Sequence, residues 1–435
     1  MVTPEPANVR NTRREAQDTA AAATALARCP RPLLMESAVQ HYSWGDSEFI
    51  PKLIGCSNET RRPYAELWIG AHPELPSVAW VDDVAVPLDR LIAAAPEVLL
   101  GARVVRAFGA QLPFLFKVLA ARQPLSIQVH PNLEQARAGF QRENRAGIPI
   151  DDDKRNYSDE NHKPELLLAL TDFYALRGFR SPDEIATLLA AIPELAWLAD
   201  GLKDGTEQRA ELYRRLMCMS QQAVNDLLDP LLVRLESEND RGGFGQDDPR
   251  FWLLRADGFF SQPEHRDRGL FSILLLNLVH LRPGQGLFLS AGELHSYLQG
   301  AGLELMANSN NVLRGGLTTK HIDVDELLDL VCFDAQPLAP IMPRKLDDAQ
   351  RRYQVPATEF QLDVWSLPEG EHRTLAAADI RLGLLLDGEI ELVGNGHSLR
   401  LVAGQTFLIP ARCEITIRTA QQGTLYLAAV PDDCG

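Results

Sequence analysis

The sequence predicts a mainly β protein with two related barrels of jelly-roll type, the first interrupted by an α-helical insertion. Three observations carry this expectation. From Met35 to about Ala169, short apolar runs alternate with turns rich in Pro and Gly. Between about residues 175 and 265 the apolar spacing switches to helical. Further on, Leu281-Arg-Pro-Gly-Gln-Gly-Leu-Phe-Leu-Ser-Ala291 aligns without gaps on Leu401-Val-Ala-Gly-Gln-Thr-Phe-Leu-Ile-Pro-Ala411. Both copies have a Gly-Gln turn, an apolar strand and a small-residue corner, as a degenerate β repeat requires.

Residues 1–34 carry Arg13-Arg14 and the run Ala20 to Ala23, with no secretory apolar segment. They are expected to be disordered or weakly helical. Strands are expected at Ala65–Gly70 and Leu112–Leu119, and a polar loop from Arg142 to Asp159. A buried strand over Leu166–Leu170 follows the segment Asn161-His162-Lys163-Pro164-Glu165. If that approach is extended, as Pro164 favours, Lys163 and Glu165 share a face. Ser181-Pro182-Asp183-Glu184 is a helix start with Ser as N-cap and Glu placed for a capping box. Helical spacing continues from Glu207 to Leu235, until Arg241-Gly242-Gly243 breaks it. Phe271 to Val279 reads as a return to strand. The expected division is therefore 35–174 with 266–335, a helical domain over 175–265, and a second barrel over 336–435.

Composition narrows the function. With 435 residues there is room for two or three domains, and 45% hydrophobic with 23% charged residues is ordinary for a globular chain. A net charge of −16 without a basic stripe argues against a nucleic-acid partner. No apolar run reaches the roughly 20 residues a membrane helix needs. Six cysteines without a CxxC pair suit reduced thiols and a cytoplasmic location.

The chemistry is expected around Ser126-Ile127-Gln128-Val129-His130-Pro131. Period-two alternation puts Ser126, Gln128 and His130 on one face and Ile127 with Val129 on the other. Alone, these residues also suit an edge strand with a wet face. In the repeat, His295 lies four residues beyond Ala291, whereas Ile415 lies four beyond Ala411. One barrel thus keeps a polar site, and the other fills its interior with Phe407 and Ile409.

Gln128-Val-His-Pro-Asn132, Tyr157-Ser-Asp-Glu-Asn-His-Lys-Pro-Glu165, and His295-Ser-Tyr297 through Arg314-Gly-Gly316 resemble the signatures of type I mannose-6-phosphate isomerases. Gln40-His-Tyr-Ser-Trp-Gly45 and Ala65-Glu-Leu-Trp-Ile-Gly-Ala-His-Pro73 resemble that family's early motifs. The resemblance implies a zinc-bearing cupin domain, a helical domain and a C-terminal cupin-like domain without metal. It implies one zinc ion held by Gln128, His130, Glu165 and His295, and a sugar phosphate as substrate. Arg314 is implied to stabilise an enediolate, with Lys163, Glu304 and His162 as acid/base candidates. Ser126, Lys117 and Lys320 resemble the family's phosphate contacts, and Trp44 is a pocket wall or an ordinary core residue. Asn310 and Thr319 depart from the Asp and Pro usual in the family, both near the phosphate end. A monomer or weak homo-oligomer is expected.

Two rival classes compete. A two-His-one-carboxylate cupin also suits non-haem iron oxygenases, against which stand Gln128 as a ligand and the cations Lys163 and Arg314. A silent sugar-phosphate binder would dispense with Arg314 and Glu165, and both are present. His72 and His280 are expected to be satisfied structural residues.

Overall fold

The computed structural model describes residues 7–199, 202, 206–262, 264–334 and 338–432. Its contacts divide the chain into two units, one of Met1–Leu119, Leu303–Asn308 and Ile341–Gly435, the other of Ala120–Gly302 and Ser309–Pro340. Both are built on sheets with helices; among the described residues the strands are traced in open order and close no barrel.

In the first unit the C-terminal strands form one large sheet, which takes in three N-terminal strands: Leu33–Glu36, Val78–Val81 and Val84–Pro87. Leu33 pairs with Leu408 and Met35 with Thr406, whose hydroxyl donates to Met35 O at 3.1 Å. The division therefore differs from the expected one, because residues 336–435 do not form a sheet by themselves. Of the two states expected for the N-terminus, the described residues take the helical one. Ala7–Arg28 is a helix, packed on Leu88–Ala94 and Val84–Pro87. Its buried residues Thr19, Ala22, Ala23 and Leu26 recur at helical spacing. A stripe made chiefly of alanine carries little hydrophobic signal, which is why the sequence reads as a tail. A smaller group of strands, Ala38–Gln40, Glu66–Ile69 and Phe114–Ala121, pairs Gln40 with Glu66 and Trp68 with Lys117.

The second unit joins strands and helices in one core. Ile127, Val129, Leu176 and Phe179 from strands share a cluster with Leu189, Leu228 and Trp252 from helices. The capping box at Ser181 forms as expected, and Ser220 splits the following helical stretch into Thr206–Met217 and Gln221–Gly242. Gly243 ends the latter at φ +72°. Two boundaries move. Strand Phe173–Phe179 runs past residue 175, and helix Gly269–Leu275 occupies what was expected to be strand, which begins only at Leu276. All seven residues of that helix are buried, so no polar face reveals its period. The loop expected from Arg142 is helical to Arg145, within Leu133–Arg145, capped by Asn132 and Gln135.

The repeat is realised in both units. Gly284 and Gly404 adopt φ +86° and +84°, and the Gln285 and Gln405 side chains accept from the Arg282 and Val402 amides at 2.8 and 2.9 Å. Strands Gly286–Leu289 and Thr406–Ile409 follow, and then His295 and Ile415 each open a long strand.

Candidate metal and catalytic site

Strand Ile127–Val129 lies between two others: Gln128 faces His295 on one side and Arg314 on the other. Directly opposed residues project from the same face. Gln128, His295 and Arg314 therefore open together, while Ile127 and Val129 are buried beneath. Ser126 shares that space, since its hydroxyl accepts from Arg314 Nη1 at 3.0 Å. Glu165 enters from the next strand, opposite Leu289.

His130, Glu165 and His295 are all buried, with ligand atoms within 4.8 Å of one another. Glu165 Oε1 lies 3.3 Å from His130 Nε2, and Oε2 lies 3.5 Å from His295 Nε2. Each imidazole donates Nδ1–H to a carbonyl, His130 to Asn311 at 2.8 Å and His295 to Glu293 at 2.9 Å. A carbonyl only accepts, so a neutral ring presents its Nε2 lone pair to the centre. Neither Nε2 has a well-formed hydrogen bond among the described residues. Two lone pairs and a carboxylate gathered in a buried space fit a cation. Burial also pushes His130 down to about 4, keeping it neutral at pH 7. Burial alone would raise the Glu165 carboxyl, but the ammonium of Lys163 opposes it, and the carboxyl is held well below the usual carboxylate range.

Lys163 Nζ is 3.3 Å from Glu165 Oε1, as the shared face expected. Arg314 is half-buried, burial draws its pKa down, and no carboxylate pairs with it among the described residues. Its position depends on backbone packing. Asp267 accepts from the amides of Gly269, Leu317 and Thr318 at 2.7–3.0 Å. A Cβ on Gly316, at φ +128°, would come within 2.3 Å of Gly269 Cα. That close approach explains the Arg-Gly-Gly sequence.

His162 is half-buried, and Lys320 is exposed. Lys117, Glu304 and Trp44 belong to the first unit. There Lys117 is buried and paired with Glu304 at 3.1 Å and Glu66 at 3.6 Å, 5.1 Å from the Trp68 ring. Trp44 is half-buried and stacks on exposed Tyr42 at 5.7 Å, so it is no core residue. His280 is satisfied by Asp172 at 2.9 Å and stacks on Tyr174.

Sequence reasoning missed Glu66, Asp267 and Asn311. The signal for Glu66 was a lone carboxylate in an apolar strand. Asp267 hid between two arginines that read as solvated. Asn311 hid in a polar run, yet it is fully buried. It accepts from the Ser158 and Asp159 amides at 2.7 and 3.1 Å and donates to the Asp159 and Asn161 carbonyls at 2.8 Å each.

Comparison with known proteins agrees with this geometry. Residues 33–182 match the family model for the phosphomannose isomerase type I catalytic domain. Mannose-6-phosphate isomerase of Escherichia coli K12 is 39% identical over 383 residues, covering 86% of this chain and 94% of that protein. Mannose-6-phosphate isomerase 1 of Arabidopsis thaliana is 30% identical, covering 91% and 93%. A Salmonella typhimurium mannose 6-phosphate isomerase structure bound to its substrate (F6P) and zinc superposes with TM-score 0.82. It is 35% identical, over 92% of this chain and 99% of that one. With motifs, site geometry and nearly the whole length in agreement, the chain belongs to the type I phosphomannose isomerase family.

Proposed function

We propose that this chain interconverts mannose 6-phosphate and fructose 6-phosphate, moving a proton between C1 and C2 through an enediolate. The observation that carries the reading is Arg314. Its guanidinium has no carboxylate partner among the described residues and opens from the sheet face that bears Gln128 and His295. The enediolate carries charge that the sugar lacks, and a fixed donor stabilises that charge without reorganising.

The donor set suits zinc, with Gln128, His130, Glu165 and His295 as ligands; bound there, one ion would act as a Lewis acid and keep the site net positive. Lys163 adds a second cation beside Glu165. Ser126 steadies the guanidinium, and Lys320 is assigned to the phosphate. Proton transfer is assigned to the group Lys163, Glu304 and His162, of which Lys163 stands against the donor set. We also read the two β systems as cupin-like jelly-roll barrels, on the strength of the gapless repeat, and place the enzyme in the cytoplasm.

The test is a coupled isomerase assay with Arg314→Ala. We expect kcat to fall by about 10²–10³ with zinc content unchanged, the scale of one lost oxyanion donor. Arg314→Lys should not restore it, because the planar fork is lost. A rise in KM with kcat intact would mean that Arg314 binds phosphate uniformly, and the enediolate role would fail.

A further inference from the structure

A buried ion pair stands behind His295. On strand Phe173–Phe179, Arg177 lies directly opposite that histidine. Its Nε donates to Glu293 Oε1 at 2.7 Å, and Nη2 reaches Oε2 at 3.4 Å. The side chains are 11% and 4% exposed. The Ser290 amide also donates to Oε2, at 3.2 Å, and the Glu293 amide returns a bond to Ser290 O at 3.3 Å. The carboxylate thus closes the turn Ser290–Glu293 and ties it to the neighbouring strand. The backbone of Glu293 meets the site, since its carbonyl accepts from His295 Nδ1 at 2.9 Å. The next carbonyl, of Leu294, is fixed from the same strand by the Gly178 amide at 2.8 Å.

A buried ion pair is a weak source of stability, because desolvating both charges offsets most of their attraction. What it supplies is geometry: the guanidinium fork sets the carboxylate's direction as well as its distance. The direction of Glu293 O in turn decides which His295 nitrogen carries the proton and how the ring faces. The other β system provides an internal comparison. Continuing the gapless repeat pairs Glu293 with Cys413 and His295 with Ile415. Val393 faces Thr416, so the next residue, Gly394, stands beside Ile415. A Cβ there would lie 3.1 Å from Ile415 Cγ2 and 3.3 Å from Cys413 Sγ, which puts Gly394 in the place of Arg177. The copy without the histidine therefore lacks both the arginine and the carboxylate, and apolar side chains fill its interior. Its turn forms all the same, with Arg412 at φ +61° where Gly292 has +78°. The turn does not need the pair; the histidine does.

We propose that Arg177 and Glu293 are positioning residues for zinc binding. Together they hold the Glu293 carbonyl so that His295 keeps its proton on Nδ1 and turns Nε2 to the ion. The proposal rests on the reading of His295 as a zinc ligand. Its effect is confined to one of the two imidazoles, because His130 takes its orientation from the Asn311 carbonyl instead.

The test compares the full-length protein with the double variant Arg177→Met/Glu293→Gln, which removes both charges at once and leaves neither buried alone. Zinc affinity is read by competition with a chelating dye. After zinc is removed, ¹H–¹⁵N spectra of the histidine rings report the tautomers, with His295→Ala and His130→Ala identifying the signals. We expect zinc affinity to fall about 10–100-fold. The His295 ring should pass to a mixture of tautomers while His130 stays unchanged. Arg177→Lys keeps the charge and loses the fork, so its affinity should fall between the two; it carries the test by the same criteria if the double variant does not fold. Wild-type zinc affinity overturns the proposal, as does an unaltered His295 tautomer. So does an equal change at both imidazoles, which would mean a general loosening of the core. Zinc retained in His295→Ala overturns the ligand reading and the proposal with it. Zinc lost there but held at wild-type affinity in the Arg177 variants overturns the positioning role alone.

Discussion

Replacing Asn311 with Ala tests how the metal ligands are held. The side chain makes four hydrogen bonds to the backbone of residues 158–161, and its own carbonyl fixes His130 Nδ1. Truncation orphans two amides and removes a donor from two carbonyls. Each buried group left unpaired costs about 1–3 kcal/mol. Ser158 and Asp159 are half-exposed, so water repairs part of the loss, and we expect about 3–5 kcal/mol. The segment that loosens leads directly to Lys163 and Glu165, and the carbonyl that orients His130 shifts with it. Zinc affinity should therefore fall about 10–100-fold, the usual effect of disturbing a ligand's outer partner. Competition with a chelating dye measures the affinity, and calorimetry the stability. Asn311→Asp should not rescue either, because an oxygen would replace the amide nitrogen that faces two carbonyls. Wild-type zinc affinity in Asn311→Ala would refute the reasoning.

Other predictions concern separate parts of the molecule. His295→Ala should release zinc and abolish turnover, since the remaining ligands cannot close the shell; retained zinc by metal analysis would sink the ligand assignment. Leu26→Ala should destabilise the first unit by about 2–5 kcal/mol, because Leu26 is fully buried. Removing residues 1–34 should lower the melting temperature further, as it strips the strand residue that pairs with Leu408; an unchanged melting curve would show the helix to be idle. Gly316→Ala should displace Arg314 and reduce kcat with zinc retained, because the new methyl meets Gly269 and the φ is positive; unaltered kinetics would count against that contact.

The candidate ligands were legible through the family resemblance, and the local pattern only brought some of them onto one face. A period-two strand placed Gln128 with His130, and Pro164 kept Lys163 and Glu165 on one face. The gapless repeat located His295, and the structure reproduces even its Gln-to-amide turn bonds at Gln285 and Gln405. What stayed hidden depends on non-local pairing. Nothing near Leu33 announces Leu408 as its partner. The alanine stripe of Ala7–Arg28 is too thin to register as amphipathic. Helix Gly269–Leu275 is apolar all round and looks like a buried strand. The pairing of Lys117 with Glu66 and Glu304 joins residues far apart in sequence, so nothing local announced it.

The approach of Gly316 to Gly269 has a consequence for anyone recombining this enzyme with its relatives. The contact is backbone against backbone, with no side chain that can be trimmed or repacked to absorb a mismatch. Asp267 ties the same two segments through three amides. A chimera with a crossover between residues 269 and 314 would take the two halves of this clasp from different parents. It would fold its strands and still misplace its arginine. Crossovers outside 267–318 keep the clasp within one parent, so activity surveys of such libraries should show a dead zone bounded by those residues.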